Sequence, residues 1–363
     1  MNLPAGCESR CPGCTHRMLS AMASEAQKMD WLRRALAPWA DRLQPIRAVA
    51  GENRWGYRGK VCLSALWSAV DGWNFGLWRR DELIPIPGCP VHTGLARTMI
   101  HWLRQALPPG SAFPLAFYVQ AGAQATLILK THHLPDSGWL RDAWWTELAT
   151  SGLEGLWLHR HPAAGRRLFA RAGWTLLWGQ PRSRDALGLE YGPTAFQQLI
   201  PALYREALDA AEAFLAPGPG DSLVDLYCGI GASLARWVRR GARALGVELS
   251  GEAVMCAGVN VPHGTVLRGK CADRIPQLRE WTPATGVRLL YLNPPRTGLE
   301  PAVLAWTTDL YRPERLAYLS CSAGTLSRDL AALAAAGYTV EALIPYDFFP
   351  QTHHVETLAL LRR

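Results

Sequence analysis

Leu223-Val-Asp225-Leu-Tyr227-Cys-Gly229-Ile-Gly231 decides the fold. An apolar, β-rich run ends in Asp225, a tight turn carries two glycines, and a helical pattern follows from about Ser233 to Arg240. The spacing predicts a strand, a glycine loop and a helix start. Glycines let a ligand approach the backbone without meeting a Cβ, and the first helical turn presents unpaired N–H groups. Further on, Ala244-Leu-Gly-Val-Glu248 reads as a second short strand ending in an acid, where an open parallel sheet holds a pair of ribose hydroxyls. The loop lacks the full dinucleotide glycine spacing, which favours an adenosine cofactor without a pyrophosphate; an ordinary strand–helix turn is the competing reading, against which the downstream order of features weighs.

Outward from this stretch, strands are expected at 223–226, 244–248, 265–268, 288–292, 315–320, 338–344 and 356–361, with helices at 233–240, 251–258, 302–309 and 325–335. Such alternation makes an α/β domain, here 190–363, with a mostly parallel sheet whose chemistry lies at the strand C-termini. A long helix, Ala195 to Leu215, precedes it, and Gln180 to Tyr191 reads as the linker. Residues 1–185 form an α+β domain. It begins with an amphipathic helix over 24–37 that presents Met29, Leu32 and Leu36 on one face. Strands follow near 57–66 and 71–78, a helix over 93–107, a hairpin (Leu115 to Gln120, Gln124 to Lys130), a helix from Trp139 to Thr150, and strands at 154–159 and 173–178.

The 363 residues are 49% hydrophobic and carry a formal charge of +8, with arginine far outnumbering lysine, which points to a polyanionic partner. No apolar run is long enough to span a membrane and the first residues do not read as a signal peptide, so a cytoplasmic monomer without membrane contact is expected. Thirteen of the sixteen tryptophans precede residue 180. Some offer stacking surfaces for unpaired bases, and most are expected to pack the core and the cysteine region. Arg54, Arg58, Arg79 and Arg80 are candidates for phosphate contacts.

Cys7-Glu-Ser-Arg-Cys11-Pro-Gly-Cys14 places three cysteines in one loop, where thiolates can converge on a soft metal centre. Cys89, in Ile86-Pro-Gly-Cys89-Pro-Val, is the expected fourth ligand; Cys62 competes but sits in a strand-like run. An iron–sulfur cluster is the favoured occupant, ahead of structural zinc or no metal.

Three clusters fall at strand ends. In Tyr291-Leu-Asn293-Pro-Pro-Arg296-Thr-Gly298 two prolines stiffen a turn from which Asn293 offers a carbonyl and an amide to the edge of a planar base. Arg296 stands where amino-group methyltransferases usually have an aromatic. In Tyr318-Leu-Ser-Cys321-Ser-Ala-Gly-Thr325 a cysteine ends a strand just before a helix, whose N-terminus is expected to favour the nucleophilic thiolate. Asp347-Phe-Phe-Pro-Gln351-Thr-His-His354-Val-Glu356 brings a carboxylate to the start of the last strand.

Together these motifs resemble the RNA (uracil-5-)methyltransferases over nearly the whole chain, most strongly after residue 190. The N-terminal cysteines are similar to the [4Fe-4S] site of the branch acting on large-subunit ribosomal RNA, and the expectation is the short branch without a TRAM-like barrel ahead of them. The resemblance implies a Rossmann-like class I methyltransferase sheet and S-adenosylmethionine as cofactor. It also implies an RNA substrate, ribosomal rather than transfer RNA. Cys321 would be the nucleophile and Glu356 the base, with Gln198, Asp225, Tyr227, Gly229 and Glu248 contacting the cofactor. Ser322 and Ile200 stand where the family usually has asparagine, and the spacing from Cys7 to Cys11 is shorter than usual. The competing readings are an RNA cytosine-5 methyltransferase and a non-catalytic RNA-binding protein with a degenerate methyltransferase fold.

Overall fold

The computed structural model describes residues 3–363. The chain divides into two compact units, one made of the segment ending at Met18 with Ala50–Leu199, the other of Leu19–Val49 with Ile200–Arg363. The first unit is therefore interrupted. Helix α1 (Ala21–Ala35) and the strap that follows belong to the second, whereas the sequence reading placed them in an N-terminal domain of residues 1–185. The expected apolar face exists, with Leu32 and Leu36 fully buried, but Ser24 and Lys28 are buried on it too. Periodicity reports which face of a helix is covered, not what covers it.

The first unit is built on a seven-stranded sheet of β1 (Lys60–Ser68), β2 (Gly72–Arg79), β3 (Glu82–Pro85), β4 (Leu115–Ala121), β5 (Gln124–Leu129), β6 (Gly155–Arg160) and β7 (Trp174–Gly179), in spatial order β3-β2-β1-β4-β5-β6-β7. Helices α2 (Gly94–Ala106) and α3 (Asp142–Ser151) belong to this unit, where Met99, Ile100, Trp102 and Leu103 of α2 join Phe75, Tyr118 and Leu127 in the core. The stretch read as a linker forms a small ribbon, β8 (Ser183–Arg184) with β9 (Glu190–Tyr191), and is tied back by the Tyr191 hydroxyl, which accepts from the Ala123 N–H at 2.8 Å. The unit boundary thus lies at 199/200 rather than in 185–190.

In the second unit the long helix is shorter than expected. It is α4 (Pro201–Leu215), because Pro201 at its start disfavours helical backbone in the residue before it. A second sheet follows from β10 (Ser222–Leu226), β11 (Arg243–Glu248), β12 (Thr265–Arg268), β13 (Arg288–Leu292), β14 (Arg315–Ser320), β15 (Thr339–Tyr346) and β16 (Glu356–Arg362), in order β12-β11-β10-β13-β14-β16-β15. Between its strands run α5 (Ala232–Arg239), α6 (Gly251–Asn260), α7 (Ile275–Trp281), α8 (Pro301–Ala305) and α9 (Ala323–Ala335). Six strands run in one direction, and β16 alone runs against them, pairing antiparallel with both β14 and β15. Strand order reverses between β10 and β13, which opens a crevice beyond their C-termini. Among the described residues no helix is long and apolar enough to cross a membrane.

Candidate active site and cysteine centre

The loop after β10 carries the features a ligand-binding backbone needs. Tyr227 adopts φ 63°, a left-handed conformation that costs a non-glycine residue about 1 kcal/mol or more and clusters at functional sites. A Cβ on Gly229 would meet nothing within 4 Å, so the peptide there faces open space. Glu248, at the end of β11, holds the turn: its two carboxylate oxygens accept from the N–H of Gly229 (3.1 Å) and of Ser250 (2.7 Å). Asp225 lies wholly inside, where its Oδ2 accepts from Trp237 Nε1 at 2.8 Å. Burial pushes its carboxyl up to about 7, aided by the nearby charge of Glu248 and opposed by hydrogen bonds from Ser233 and Trp237. Asn293 is half-buried and its N–H donates to Leu226 O (3.3 Å), so the ends of β13 and β10 are stitched together. Gln198 lies in the first unit, in non-helical backbone. These groups suit an adenosine cofactor: open space over a bare backbone, with a carboxylate at the neighbouring strand end.

Cys321 and Glu356 meet through strand register. In the antiparallel ladder of β14 and β16 the last pair is Ser320 with Thr357, and the next residue on each strand is Cys321 and Glu356. Opposite residues in such a ladder have Cα atoms roughly 4.5–5.5 Å apart. Arg296 joins them, near enough to act electrostatically on the Cys321 sulfur and 3.4 Å from His354 Nε2. The Asn293–Gly298 turn that carries Arg296 is fastened to α9, since Thr325 Oγ1 donates to Arg296 O (3.2 Å) and Arg328 Nη2 to Thr297 O (3.1 Å).

The expected thiolate bias of Cys321 is corrected. Burial, and then the Glu356 carboxylate, push the thiol above its ordinary value, and Arg296 opposes both. Desolvation and a facing acid outweigh a helix N-terminus here.

Sequence reading missed the support for Glu356. Lys28 of α1 reaches Asp347 Oδ1 at 2.5 Å, with both side chains fully buried, and also donates to Phe349 O (3.1 Å). Ser24 Oγ contacts Pro350 O (3.4 Å), while Asp347 N–H donates to Arg47 O (2.8 Å). The segment leading into Glu356 is thus held by residues some three hundred positions upstream. The polar pair Ser24 and Lys28, one turn apart on the apolar face of α1, was the available signal.

In the first unit Cys7, Cys11, Cys14 and Cys89 line one small cavity, together with Arg17, Trp55, Ile86 and Val91. Burial raises the thiol of Cys14 to about 11, and the facing Cys89, Cys11 and Cys7 reinforce the shift. Arg17, also missed, gathers the loop: its guanidinium donates to Cys11 O and Cys14 O (both 3.0 Å) and to Ser9 O (2.7 Å). Cys62 is exposed on β1 and is not among the cavity's lining residues. Among the described residues no group of three or more His, Cys, Asp or Glu side chains is arranged to hold a metal ion.

A sheet in this order, with a glycine loop at its reversal point, defines an S-adenosylmethionine-dependent methyltransferase fold. It superposes on the crystal structure of the Pyrococcus abyssi tRNA (uracil-54, C5)-methyltransferase in complex with S-adenosyl-L-homocysteine with a TM-score of 0.71, at 19% identity, covering 98% of this chain and 86% of that one. Residues 279–363 match the family model described as tRNA (Uracil-5-)-methyltransferase. An uncharacterized RNA methyltransferase of Thermosynechococcus vestitus is 29% identical, over 97% of this chain and 82% of the relative. The 23S rRNA (uracil(1939)-C(5))-methyltransferase RlmD of Thiobacillus denitrificans is also 29% identical, over 98% of this chain and 84% of the relative. Along nearly its whole length the chain is thus similar to RNA (uracil-5-)methyltransferases.

Proposed function

We propose that this protein methylates carbon 5 of a uridine in RNA, with large-subunit ribosomal RNA as its substrate class and Cys321 and Glu356 as its catalytic residues. The observation that carries the reading is the register that sets Cys321 beside Glu356 at the C-terminal edge of the sheet. The substrate class draws on the name of the Thiobacillus relative.

Carbon 5 of uracil is too weak a nucleophile to take a methyl group unaided. Cys321, as thiolate, adds to carbon 6, and the electron pair of the C5=C6 bond moves onto carbon 5 and the adjoining carbonyl. S-adenosylmethionine supplies, when bound, the electrophilic methyl that carbon 5 accepts. Glu356 then removes the carbon-5 proton, the double bond re-forms, and the Cys321 sulfur leaves as thiolate. Arg296 favours the ionised sulfur at both ends of the cycle. Asp225, Tyr227, Gly229, Glu248 and Asn293 hold the cofactor. A cytosine-5 methyltransferase typically has a cysteine before proline where this chain has Asn293, and a non-catalytic role leaves the Cys321–Glu356 pairing without a purpose.

Methyl transfer from labelled cofactor to ribosomal RNA tests the proposal. Cys321→Ala is expected to abolish it, and Glu356→Gln to accumulate a covalent RNA–protein adduct resistant to denaturant. Full activity in Cys321→Ala would falsify the mechanism.

For the cysteine centre the reading is a [4Fe-4S] cluster rather than zinc, supported by the four cysteines that line one cavity. Cys7, Cys11, Cys14 and Cys89 would hold it, and it would cross-link the N-terminal loop to the Cys89 turn. An anaerobic preparation should be brown and contain iron and acid-labile sulfide; a colourless protein with stoichiometric zinc would overturn the assignment.

A further inference from the structure

Between Glu154 and Asp185 the chain carries six arginines and no carboxylate. Three of them, Arg166, Arg167 and Arg171, lie in the connection between β6 and β7, residues 161–173, and all three are exposed. A hairpin connection of this length without secondary structure is usually functional or disordered. This one is anchored. His161 N–H donates to Leu129 O (2.9 Å) and Arg160 N–H to Gly173 O (2.8 Å), which pins both ends. In the middle, Ala164 is buried with Val119 and Ile128, and Leu168 and Phe169 pack against the same cluster. His159, fully buried and stacked on Trp174 at 4.0 Å, accepts from the Ala170 N–H at 3.0 Å. Burial holds that imidazole down at about 4, so the acceptor is neutral at working pH. The loop therefore has an apolar underside and a cationic outer side fixed by its own packing.

Some exposed arginines elsewhere are neutralised, while others, such as Arg34, Arg79, Arg80, Arg205 and Arg239, show no ion pair among the described residues, like these three. Arg10 pairs with Glu8 and Glu82, Arg33 with Asp30, Arg42 with Asp41, Arg240 with Glu212 and Arg362 with Glu341. Among the described residues no ion pair is seen for Arg166, Arg167 or Arg171, and the sequence around them supplies no acid. Exposed guanidinium groups on an anchored loop match the charge of a phosphate backbone.

We propose that the His161–Gly173 loop is a phosphate clamp for RNA, with Arg166, Arg167 and Arg171 contacting the phosphate backbone of the substrate. The proposal deepens the uridine-methylation reading and rests on it for the identity of the polyanion. Phosphate contacts give affinity without sequence information, so the clamp acts on binding and not on chemistry.

The test uses the full chain and a fluorescent RNA stem–loop with a uridine-containing loop. The triple variant Arg166→Gln/Arg167→Gln/Arg171→Gln is expected to bind about ten- to a hundredfold more weakly at about 0.1 M salt, with a log–log salt slope shallower by about 2, from three single-strand contacts at roughly 0.7 each. KM for RNA should rise while kcat at saturating RNA stays unchanged. The corresponding triple lysine variant should restore most of the affinity and the slope, which separates lost charge from misfolding. Wild-type affinity and slope in the glutamine variant would overturn the proposal. So would an equal loss in the control Arg33→Gln/Arg42→Gln/Arg240→Gln, because net charge alone would then explain it. If the glutamine variant lost binding to anionic phosphatidylserine vesicles while keeping RNA affinity, the clamp would belong to a membrane surface and the proposal would fall. If the expected RNA defect is found but the wild-type enzyme transfers no methyl to RNA, the clamp stands and uridine methylation fails.

Discussion

Cys321 and Glu356 lie one step beyond Ser320 and Thr357, the final registered pair of two antiparallel strands. This follows from β16 lying between β14 and β15 and running against the rest of the sheet. An antiparallel neighbour brings the end of one strand to the start of the next, so a carboxylate 35 residues downstream faces the cysteine. Had the last strand been parallel, its first residue would lie at the opposite edge of the sheet.

The electrostatics of that pair predict a pH signature. Burial first and Glu356 second raise the Cys321 thiol, and Arg296 lowers it. The rate of Cys321 alkylation by iodoacetamide tracks its thiolate fraction and should climb with pH until the thiol has ionised. In Glu356→Gln the midpoint of that climb should move to lower pH, and in Arg296→Met to higher pH. Peptide mass spectrometry resolves Cys321 from the other eight cysteines. Midpoints that coincide in all three proteins would show that neither neighbour acts on the sulfur.

Lys28 and Asp347 make a buried pair that joins α1 to the approach to Glu356. Removing one partner of such a pair strands the other charge in a dry site, at a cost of about 3–5 kcal/mol. Lys28→Met should therefore lower the melting temperature markedly. The double variant Lys28→Met/Asp347→Leu should recover much of the stability, because a well-packed apolar pair often replaces a buried ion pair without loss. Methyl transfer should stay depressed in the double variant, since the Lys28 bond to Phe349 O is gone. Wild-type kcat in that variant would reduce the pair to a purely structural element.

Asp225 should trade stability for function. Its folded carboxyl sits at about 7 against an ordinary value of 3.8, so the folded state binds the proton more tightly than the unfolded chain. Stability contributed by this group is full below about pH 4, falls as pH rises towards 7, and stays low above it. Asp225→Asn removes that dependence and leaves an oxygen to accept from Trp237. Its melting temperature should match or exceed wild type at pH 8, while its affinity for S-adenosylmethionine falls. Thermal melts at pH 5 and 8 with calorimetric cofactor titrations check both, and a lower melting temperature at pH 8 would contradict the linkage.

What was legible in the sequence was local. Strand–loop–helix alternation around Leu223–Gly231 reports hydrophobic period and turn chemistry, both written in neighbouring residues, and the second sheet follows from it. Helix α7 was missed because it spans only seven residues, and α4 was overextended through Pro201. The attachment of α1 to the second unit, and the pairings of Lys28 with Asp347 and Arg17 with the cysteine-loop carbonyls, are long-range or backbone-directed. No periodicity encodes them. The raised thiol at 321 belongs with these, since a pKa is set by spatial neighbours.

The cysteine cavity depends on a close crossing of two backbone turns. Gly6, next to Cys7, has φ +79°, and a Cβ there would lie 2.2 Å from the carbonyl oxygen of Gly88, next to Cys89. Neither atom can yield, because the obstacle is backbone and the conformation itself disfavours any L side chain. Gly6→Ala should thus push the N-terminal loop off the Cys89 turn and widen the separation of Cys7 from Cys89. The expected result is a protein with sharply reduced iron and sulfide content after anaerobic reconstitution, although all four cysteines remain. Gly88→Ala is the matched control, because its Cβ would meet Gly6 Cα at an ordinary 3.4 Å and should leave iron loading near wild type. Equal loading of the two variants would mean that the crossing of the turns does not set the geometry of the thiols.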